Sequence, residues 1–446
     1  MDLTGKKIVV FGMGRSGIST LRFLSTRQAR VWAVNKGPFL SWQNSEEIKN
    51  LVGENYCIAE EDLRLIDIMG SCDLVILSPG IAREHPALTS AHQHKIPIWT
   101  EIELAYRFIQ NKKIVAVTGS NGKTTVVTML GEIFKRAGRK VFVGGNIGIP
   151  LCEALLAGEC FDLYLLELSS FQLESMEEFR PNVAVVLNIY KNHTERYTNI
   201  EDYARAKFNI VRRMQHKDLL IVADDQAIIS SWAGQQRERV ELELIEINNP
   251  QKIKDKIWTE YDLAQFQLIG IHNIVNLAFI IAVCKRLQIE QSAVQAVINS
   301  FSGVDFRVQK IKSNLACQCF NDAKSTNWNA TMTAVNSLSY DSRPLWVIVG
   351  GQCRGSSDSI VPHLDFFTSK VAKFILIGDS AKLLASELTG KLDYTLAGNL
   401  SGAIDYVEES KFSGNLLFSP AFQSFDQFKN YVDRGNSFNA IIQARK

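Results

Sequence analysis

The stretch Ile114-Val115-Ala116-Val117-Thr118-Gly119-Ser120-Asn121-Gly122-Lys123-Thr124-Thr125 constrains this chain more than any other. Four apolar, mostly β-branched residues read as a buried parallel strand. A tight Gly-bearing turn follows, and Lys-Thr-Thr opens a helical run over Val126 to Arg136. Backbone N–H groups in such a turn, aimed with the helix N-terminus, form a nest for phosphate oxygens. Lys123 adds a cation against the β/γ-phosphates, and the Thr124 hydroxyl suits Mg²⁺. The full nucleotide-loop pattern has a Gly five residues before Gly122. Val117 stands there, so only the shorter form Gly119-x-x-Gly122-Lys123-Thr124 is present. An ordinary βα turn can also contain Gly and Lys, but a strand before and a helix after are the context this motif requires. The segment predicts binding of a nucleoside triphosphate by Gly119, Ser120, Asn121, Gly122, Lys123, Thr124 and Thr125.

A chain of 446 residues has room for about three domains. Its 46% apolar and 22% charged residues are those of a globular protein rather than a disordered one. A net charge of +2 gives no electrostatic argument for a nucleic-acid or membrane partner. No apolar run approaches the roughly 18 residues of a membrane span. The N-terminus, Asp2-Leu3-Thr4-Gly5-Lys6-Lys7, lacks the apolar core and cleavage site of a signal peptide. Eight Cys are scattered, with no pair at the two-residue gap of a zinc knuckle or redox motif. Cys317 and Cys319 read as neighbours on one face of a strand. Reduced structural thiols and a cytoplasmic location are the expectation.

Taken in order, Lys7 to Phe11 reads as a strand, followed by Gly12-Met13-Gly14-Arg15-Ser16-Gly17 and a helix to about Ser25. This is the Gly-x-Gly-x-x-Gly of a dinucleotide fold. The next strand, Val31 to Val34, ends at Asn35 instead of the acidic residue that holds a ribose diol, which argues against a nicotinamide cofactor and a dehydrogenase. A strand at Leu74 to Leu77 runs into the turn Ser78-Pro79-Gly80. Beyond the phosphate loop, strands at Val141, Leu163 and Val183 are expected. The second ends at Glu167, where a carboxylate can ligate a metal, orient water or simply face solvent. His193 follows the third and reads equally as a ligand or a satisfied core His. Ile200 to Arg213 reads as a helix carrying Lys207, and Gln235 to Asp262 as a variable charged region. Asn273 and Asn276 share one face at the start of a helix, where they can read an adenine edge or act as caps. A last α/β unit begins after Gly303, with candidate substrate loops at Gly350 to Gly355 and Ser419 to Phe428. The fold class is α/β with three domains: Rossmann-like over 1–101, a P-loop ATPase-like parallel sheet over 102–303, and Rossmann-like over 304–446.

Together these blocks resemble the Mur ligase family along the whole chain. The resembling features are Gly119-Ser120-Asn121-Gly122-Lys123-Thr124-Thr125, Gly145-Asn146-Ile147-Gly148, Glu167-Leu168-Ser169-Ser170-Phe171-Gln172-Leu173-Glu174, Asn192-His193-x-x-Arg196-Tyr197 and Asn321-Asp322-x-Lys324-x-Thr326-Asn327. Ser424-x-Asp426-Gln427-Phe428-Lys429-Asn430 with Arg434-Gly435 points within the family to the MurD type. The phosphate loop alone would also fit folylpolyglutamate synthases, and a sister ligase adding another amino acid is the nearest alternative. The resemblance implies an ATP-dependent ligase of peptidoglycan synthesis that adds D-glutamate to UDP-N-acetylmuramoyl-L-alanine through an acyl phosphate. It implies two Mg²⁺ sites, Thr124 and Glu167 at one and His193 helping at the other, and a carbamate on Lys207 beside them. Lys123, His193 and Lys207 are its catalytic residues.

By the same resemblance, Asn273, Asn276, Arg307, Asp322 and Lys324 hold the adenine nucleotide. Arg15, Ser16, Asn35, Lys36 and Gly80 hold the UDP group, while Asn146, Ser169, Gln172 and His193 face the muramoyl-alanine part. Thr326, Arg354, Ser424, Phe425 and Tyr431 form the D-glutamate pocket, where a cation pairs with a carboxylate. A monomer working on small molecules is expected. Five positions depart from the family pattern: Asn35 and Asn192 replace Asp, Phe306 replaces His, Ala323 replaces Ser and Arg354 replaces Lys. The last keeps its charge but exchanges a compact ammonium for a planar fork. None removes the phosphate loop, the metal carboxylate or the carbamate lysine, so activity is expected.

Overall fold

The computed structural model describes residues 1–109, 113–190, 196–247, 249–268, 270–338, 342–353 and 359–445. They form two compact units: residues 1–261 with 275–297, and residues 262–274 with 298–446.

The first unit contains two parallel sheets. Strands β1 (Lys7–Phe11), β2 (Arg30–Asn35), β3 (Cys57–Ala59), β4 (Leu74–Leu77) and β5 (Ile98–Trp99) lie in the order β3-β2-β1-β4-β5. The order reverses between β1 and β4, the place where an open α/β sheet leaves a crevice for ligand. Strands β6 (Lys113–Thr118), β7 (Val141–Gly145), β8 (Leu163–Glu167), β9 (Val183–Val186), β10 (Leu219–Ala223) and β11 (Glu241–Ile245) lie in the order β11-β10-β9-β6-β8-β7. β6, β8 and β9 are buried along nearly all their length, as parallel strands covered on both faces must be. One apolar cluster runs from Ile8, Val10 and Phe23 through Leu104 and Leu151 to Leu166, Val186 and Val222, so the two sheets share a continuous core.

Polar contacts reinforce that junction. Glu103 is wholly buried and accepts from three successive amides, Glu177, Glu178 and Phe179. Glu101 accepts from the Cys152 amide at 2.5 Å, and burial pushes its carboxyl up to about 7.

The second unit carries β12 (Gln309–Ile311), β13 (Gln318–Asn321), β14 (Leu345–Gly350), β15 (Lys373–Ile377), β16 (Tyr394–Gly398) and β17 (Asn415–Phe418), in the order β12-β13-β17-β14-β15-β16. All pairs are parallel except β12 with β13, an antiparallel edge on an otherwise parallel sheet. The Cys317 and Cys319 sulfurs lie 3.8 Å apart, on one face as the sequence suggests.

Two local readings change. The helix expected over Ile200 to Arg213 ends at Phe208 and tightens into a 3₁₀ turn at Asn209–Val211, where the Asn209 amide donates to the Leu173 carbonyl. The charged region Gln235 to Asp262 holds an edge strand, β11, and a helix Pro250–Trp258 with Pro at its first position.

Candidate active site

β6 ends at Thr118, and the helix Lys123–Arg136 begins directly after the Gly-bearing turn. Val117 belongs to the strand, where it is fully buried and pairs with Glu167 and Val185. The turn therefore starts at Gly119, two residues later than the full motif would. Gly122 has φ +85°, and a Cβ there would meet Asn276 Oδ1 at 2.6 Å, so only glycine fits. The Ser120 and Asn121 amides are tied to Asn188, one to its carbonyl at 2.9 Å and the other to its side-chain oxygen at 2.8 Å. The Lys123 ammonium folds back on the loop, donating to the Gly119 and Ser120 carbonyls at 2.7 and 3.1 Å.

Three strand ends meet at this loop. The Thr124 hydroxyl donates to Glu167 Oε2 at 2.9 Å, and the Asn146 amide to Glu167 Oε1 at 2.8 Å. Glu167 is 1% exposed. A carboxylate and a hydroxyl at the N-terminus of a helix that follows a Gly-bearing turn are hard oxygen donors of the kind Mg²⁺ uses, so these residues fit the ion. Beyond Glu167, Ser169 caps a short helix, Ser170–Leu173, in a capping box with Gln172.

Lys207 is 1% exposed. Its amine donates to the Gly119 carbonyl at 2.9 Å and lies 4.5 Å from the centre of the Tyr203 ring. Burial, and then the nearby Lys123 cation, hold that amine well below the ordinary lysine range, with Glu167 opposing.

At the switch point of the first sheet, a Cβ on Gly17 would lie 1.9 Å from the Gly12 carbonyl, which fixes the close helix–strand approach of a dinucleotide-type turn. Asn35 accepts from the Met13 amide at 3.3 Å and braces this turn. Arg15 reaches the Gly148 carbonyl, Ser16 sits beside it in the first turn of the helix Arg15–Ser25, and Lys36 and Gly80 are exposed nearby.

In the second unit the candidate residues gather at the carboxyl ends of β13, β14 and β17. Asp322 is buried, accepts from the Ser325 and Ser419 hydroxyls and from the Val308 amide, and is pushed up to about 6 by desolvation, with Arg307 opposing. Phe306 and Val308 flank Arg307 with φ of +61° and +47°, so the Val308 amide bond to Asp322 holds a turn that β-branched residues resist. Lys324 extends over the Tyr431 ring at 5.6 Å, with Thr326 half-buried two residues on. Ser424 is buried, whereas Phe425 is 61% exposed. Arg434 is buried and donates to the Phe422 and Ala323 carbonyls, both at 2.9 Å, joining two of the candidate loops. The Phe306 ring packs on Gly435, where a Cβ would come within 2.3 Å of it.

The structure thus brings Lys123, Thr124, Asn146, Glu167, Lys207 and Asn276 to one loop of the first unit. Arg307, Asp322, Lys324, Thr326, Ser424 and Tyr431 belong to the second, as does Asn273. Neither Asn273 nor Asn276 caps its helix, which starts at Ile271. His193 and Arg354 lie outside the described residues. Sequence reasoning missed Asn188, Tyr203 and the anchoring role of Arg434. Asn188 sits where sites are expected, just past a buried strand, but nothing local tells that it turns toward the neighbouring loop.

Among the described residues no helix is long and apolar enough to cross a membrane. Residues 117–284 match the Mur ligase middle domain, and residues 6–100 match the Mur ligase MurD-like N-terminal domain. The chain is 34% identical to a UDP-N-acetylmuramoylalanine–D-glutamate ligase of Geotalea daltonii, over 100% of this chain and 98% of the relative. It is 31% identical, with the same shares covered, to the protein of that name from Geobacter metallireducens. In fold it is similar to the crystal structure of UDP-N-acetylmuramate–alanine ligase MurC from Thermotoga maritima, with a TM-score of 0.54 at 18% identity over 97% and 98% of the two chains. With the expected phosphate loop, metal carboxylate and buried lysine assembled at one strand-end cluster, and with relatives of one kind along its full length, the chain belongs to the Mur ligase family, in its MurD branch.

Proposed function

We propose that this protein forms the amide bond between the alanyl carboxylate of UDP-N-acetylmuramoyl-L-alanine and the amine of D-glutamate, converting ATP to ADP and phosphate. The observation that carries the reading is the convergence of Lys123, the Thr124–Glu167 pair and buried Lys207 on the Gly119–Gly122 turn. The acceptor carboxylate attacks the γ-phosphorus and ADP leaves, giving an acyl phosphate. The amine of D-glutamate then attacks the acyl carbon, phosphate leaves, and the amine gives up its proton.

Both partners of the first step are anions, so the site must manage repulsion. Lys123 leaves the loop carbonyls for the β/γ-phosphates, and the amides at the start of the helix receive phosphate oxygens. Thr124 and Glu167 would hold a Mg²⁺ ion, with a second near His193; the ions supply charge neutralisation when bound. Asn146 keeps Glu167 oriented toward the loop. The Lys207 amine attacks CO₂, loses a proton and becomes a carbamate, exchanging a cation for an anion where cations are needed as partners. Asn276, packed against Gly122, is suited to the adenine edge with Asn273. Arg307, Asp322 and Lys324 serve the rest of the nucleotide. Arg15, Ser16, Asn35, Lys36 and Gly80 take the UDP group; Ser169 and Gln172 face the sugar-peptide. Thr326, Ser424, Phe425 and Tyr431 form the D-glutamate pocket with Arg354.

The protein acts as a monomer in this reading, since one chain carries every group. Eight cysteines without a disulfide suit the reducing cytoplasm. Single-turnover ligation with D-glutamate, L-glutamate and glycine as competing acceptors tests the assignment. D-Glutamate incorporation dependent on ATP is expected, and its absence would overturn the reading.

A further inference from the structure

Arg196 bridges the two sheets of the first unit through several directed contacts. Its Nε and Nη2 atoms engage Glu174 at 3.2 and 2.5 Å. Its Nη1 reaches across to the first sheet, donating to the Pro79 and Ile81 carbonyls at 3.1 and 3.3 Å. The guanidinium also lies 4.4 Å from the Phe171 ring centre. Arg83, on the first-sheet side, donates to the Glu174 carbonyl at 3.2 Å. The Arg196 and Glu174 side chains are only 12% and 17% exposed, so both charges are largely desolvated and depend on each other.

What the clasp joins is informative. The Pro79–Ile81 turn follows β4 at the switch point, beside the Gly12–Gly14 turn. Glu174 ends the short helix that starts just past Glu167. The Tyr197 hydroxyl also donates to Glu174, and its ring lies 5.2 Å from that of Tyr203, which in turn faces the Lys207 amine. One guanidinium therefore connects a crevice on the first sheet with both the metal carboxylate and the buried lysine on the second. Only a planar fork can bind a carboxylate with two nitrogens and carbonyls with the third; an ammonium cannot.

We infer that Arg196 is a positioning residue that couples nucleotide-sugar binding at the Pro79–Ile81 turn to ATP binding at the Gly119–Gly122 loop. The inference rests on the ligase reading for the identity of the two ligands. Closing of the first-sheet turn around a uridine nucleotide moves two carbonyls that Arg196 holds. The clasp passes that displacement to Glu174 and Tyr197, and so to the groups around the loop.

The test measures binding, independently of turnover. Calorimetry gives the affinity of a non-hydrolysable ATP analogue with and without saturating UDP-N-acetylmuramoyl-L-alanine. In the unaltered protein the sugar nucleotide is expected to tighten analogue binding about fivefold or more. In Arg196→Lys the analogue alone should bind within about twofold of normal, while the enhancement vanishes and KM for the sugar nucleotide rises about tenfold. Glu174→Gln, which keeps the shape and removes the charge, should lose most of the enhancement and serves if Arg196→Lys fails to fold. Full enhancement in either folded variant, none in the unaltered protein, or an equal loss of analogue binding without sugar nucleotide would overturn the inference. Coupling without any amide product would instead sink the ligase reading and leave the clasp standing.

Discussion

Lys123 and Lys207 donate to one and the same acceptor, the Gly119 carbonyl oxygen, at 2.7 and 2.9 Å. Two full positive charges on one peptide oxygen repel strongly, and burial makes Lys207 the one that gives way. With its amine held below the ordinary lysine range, Lys207 should take up CO₂ at a lower pH than an exposed lysine, which needs pH above about 10. In ¹³C-bicarbonate at pH 7.5 a carbamate carbon signal is expected, absent in Lys207→Ala. Removing dissolved CO₂ should slow ligation, and added bicarbonate should restore it.

Lys123→Ala removes the one side-chain cation of the turn without touching the core. Turnover should fall about 10²–10³-fold, the scale for loss of a single charge-stabilising group in phosphoryl or acyl transfer. Affinity for UDP-N-acetylmuramoyl-L-alanine and the melting temperature should hardly change. A parallel loss of sugar-nucleotide binding would mean the lysine serves the fold.

Glu101 gives a pH signature. Its carboxyl is raised from an ordinary 4.5 to about 7 by burial, so the folded state binds its proton more tightly than the unfolded chain does. The stability it contributes is fully present below about 4.5 and is lost as pH rises through about 7, amounting to about 3 kcal/mol. Glu101→Gln keeps an oxygen for the Cys152 amide but cannot ionise. Urea unfolding between pH 5 and 8 should therefore show a shallower decline in the variant and a more stable variant at pH 8.

The sequence made the phosphate loop and its strands legible because both carry local signals: a run of buried β-branched residues and glycines at fixed offsets. Glu167 was readable for a related reason, since parallel strands deliver their carboxyl ends to a common edge. Lys207 was not. Its helix, Ile-Glu-Asp-Tyr-Ala-Arg-Ala-Lys-Phe, buries Tyr203, Ala204, Ala206 and the lysine itself, and no periodicity distinguishes that lysine from a solvated one. The strand Glu-Leu-Glu-Leu-Ile had the right alternation, yet its half-exposed edge position let charged residues mask it. Arg434 and Asn188 act on backbone carbonyls and amides far away in sequence, and such contacts leave no local pattern.

Arg434→Lys should separate loop anchoring from chemistry. A lysine cannot reach the Phe422 and Ala323 carbonyls together, and each carbonyl left unpaired costs about 1–3 kcal/mol. Loosening the loops that carry Ser424 and Lys324 should raise KM for D-glutamate about 10²-fold. The affinity for UDP-N-acetylmuramoyl-L-alanine, which the proposal assigns to residues of the other unit, should be unaltered. Steady-state kinetics with each substrate varied in turn decides between these.

Phe306 and Gly435 bind each other's evolutionary options. A methyl group at 435 would collide with the ring at 306, so the glycine is irreplaceable for as long as the aromatic side chain stays. Any lineage that trades Phe306 for a smaller residue frees position 435 to vary, and a side chain at 435 requires that the ring has gone. Random substitution at both sites, scored for a folded product, will find a side chain at 435 only where 306 has become smaller.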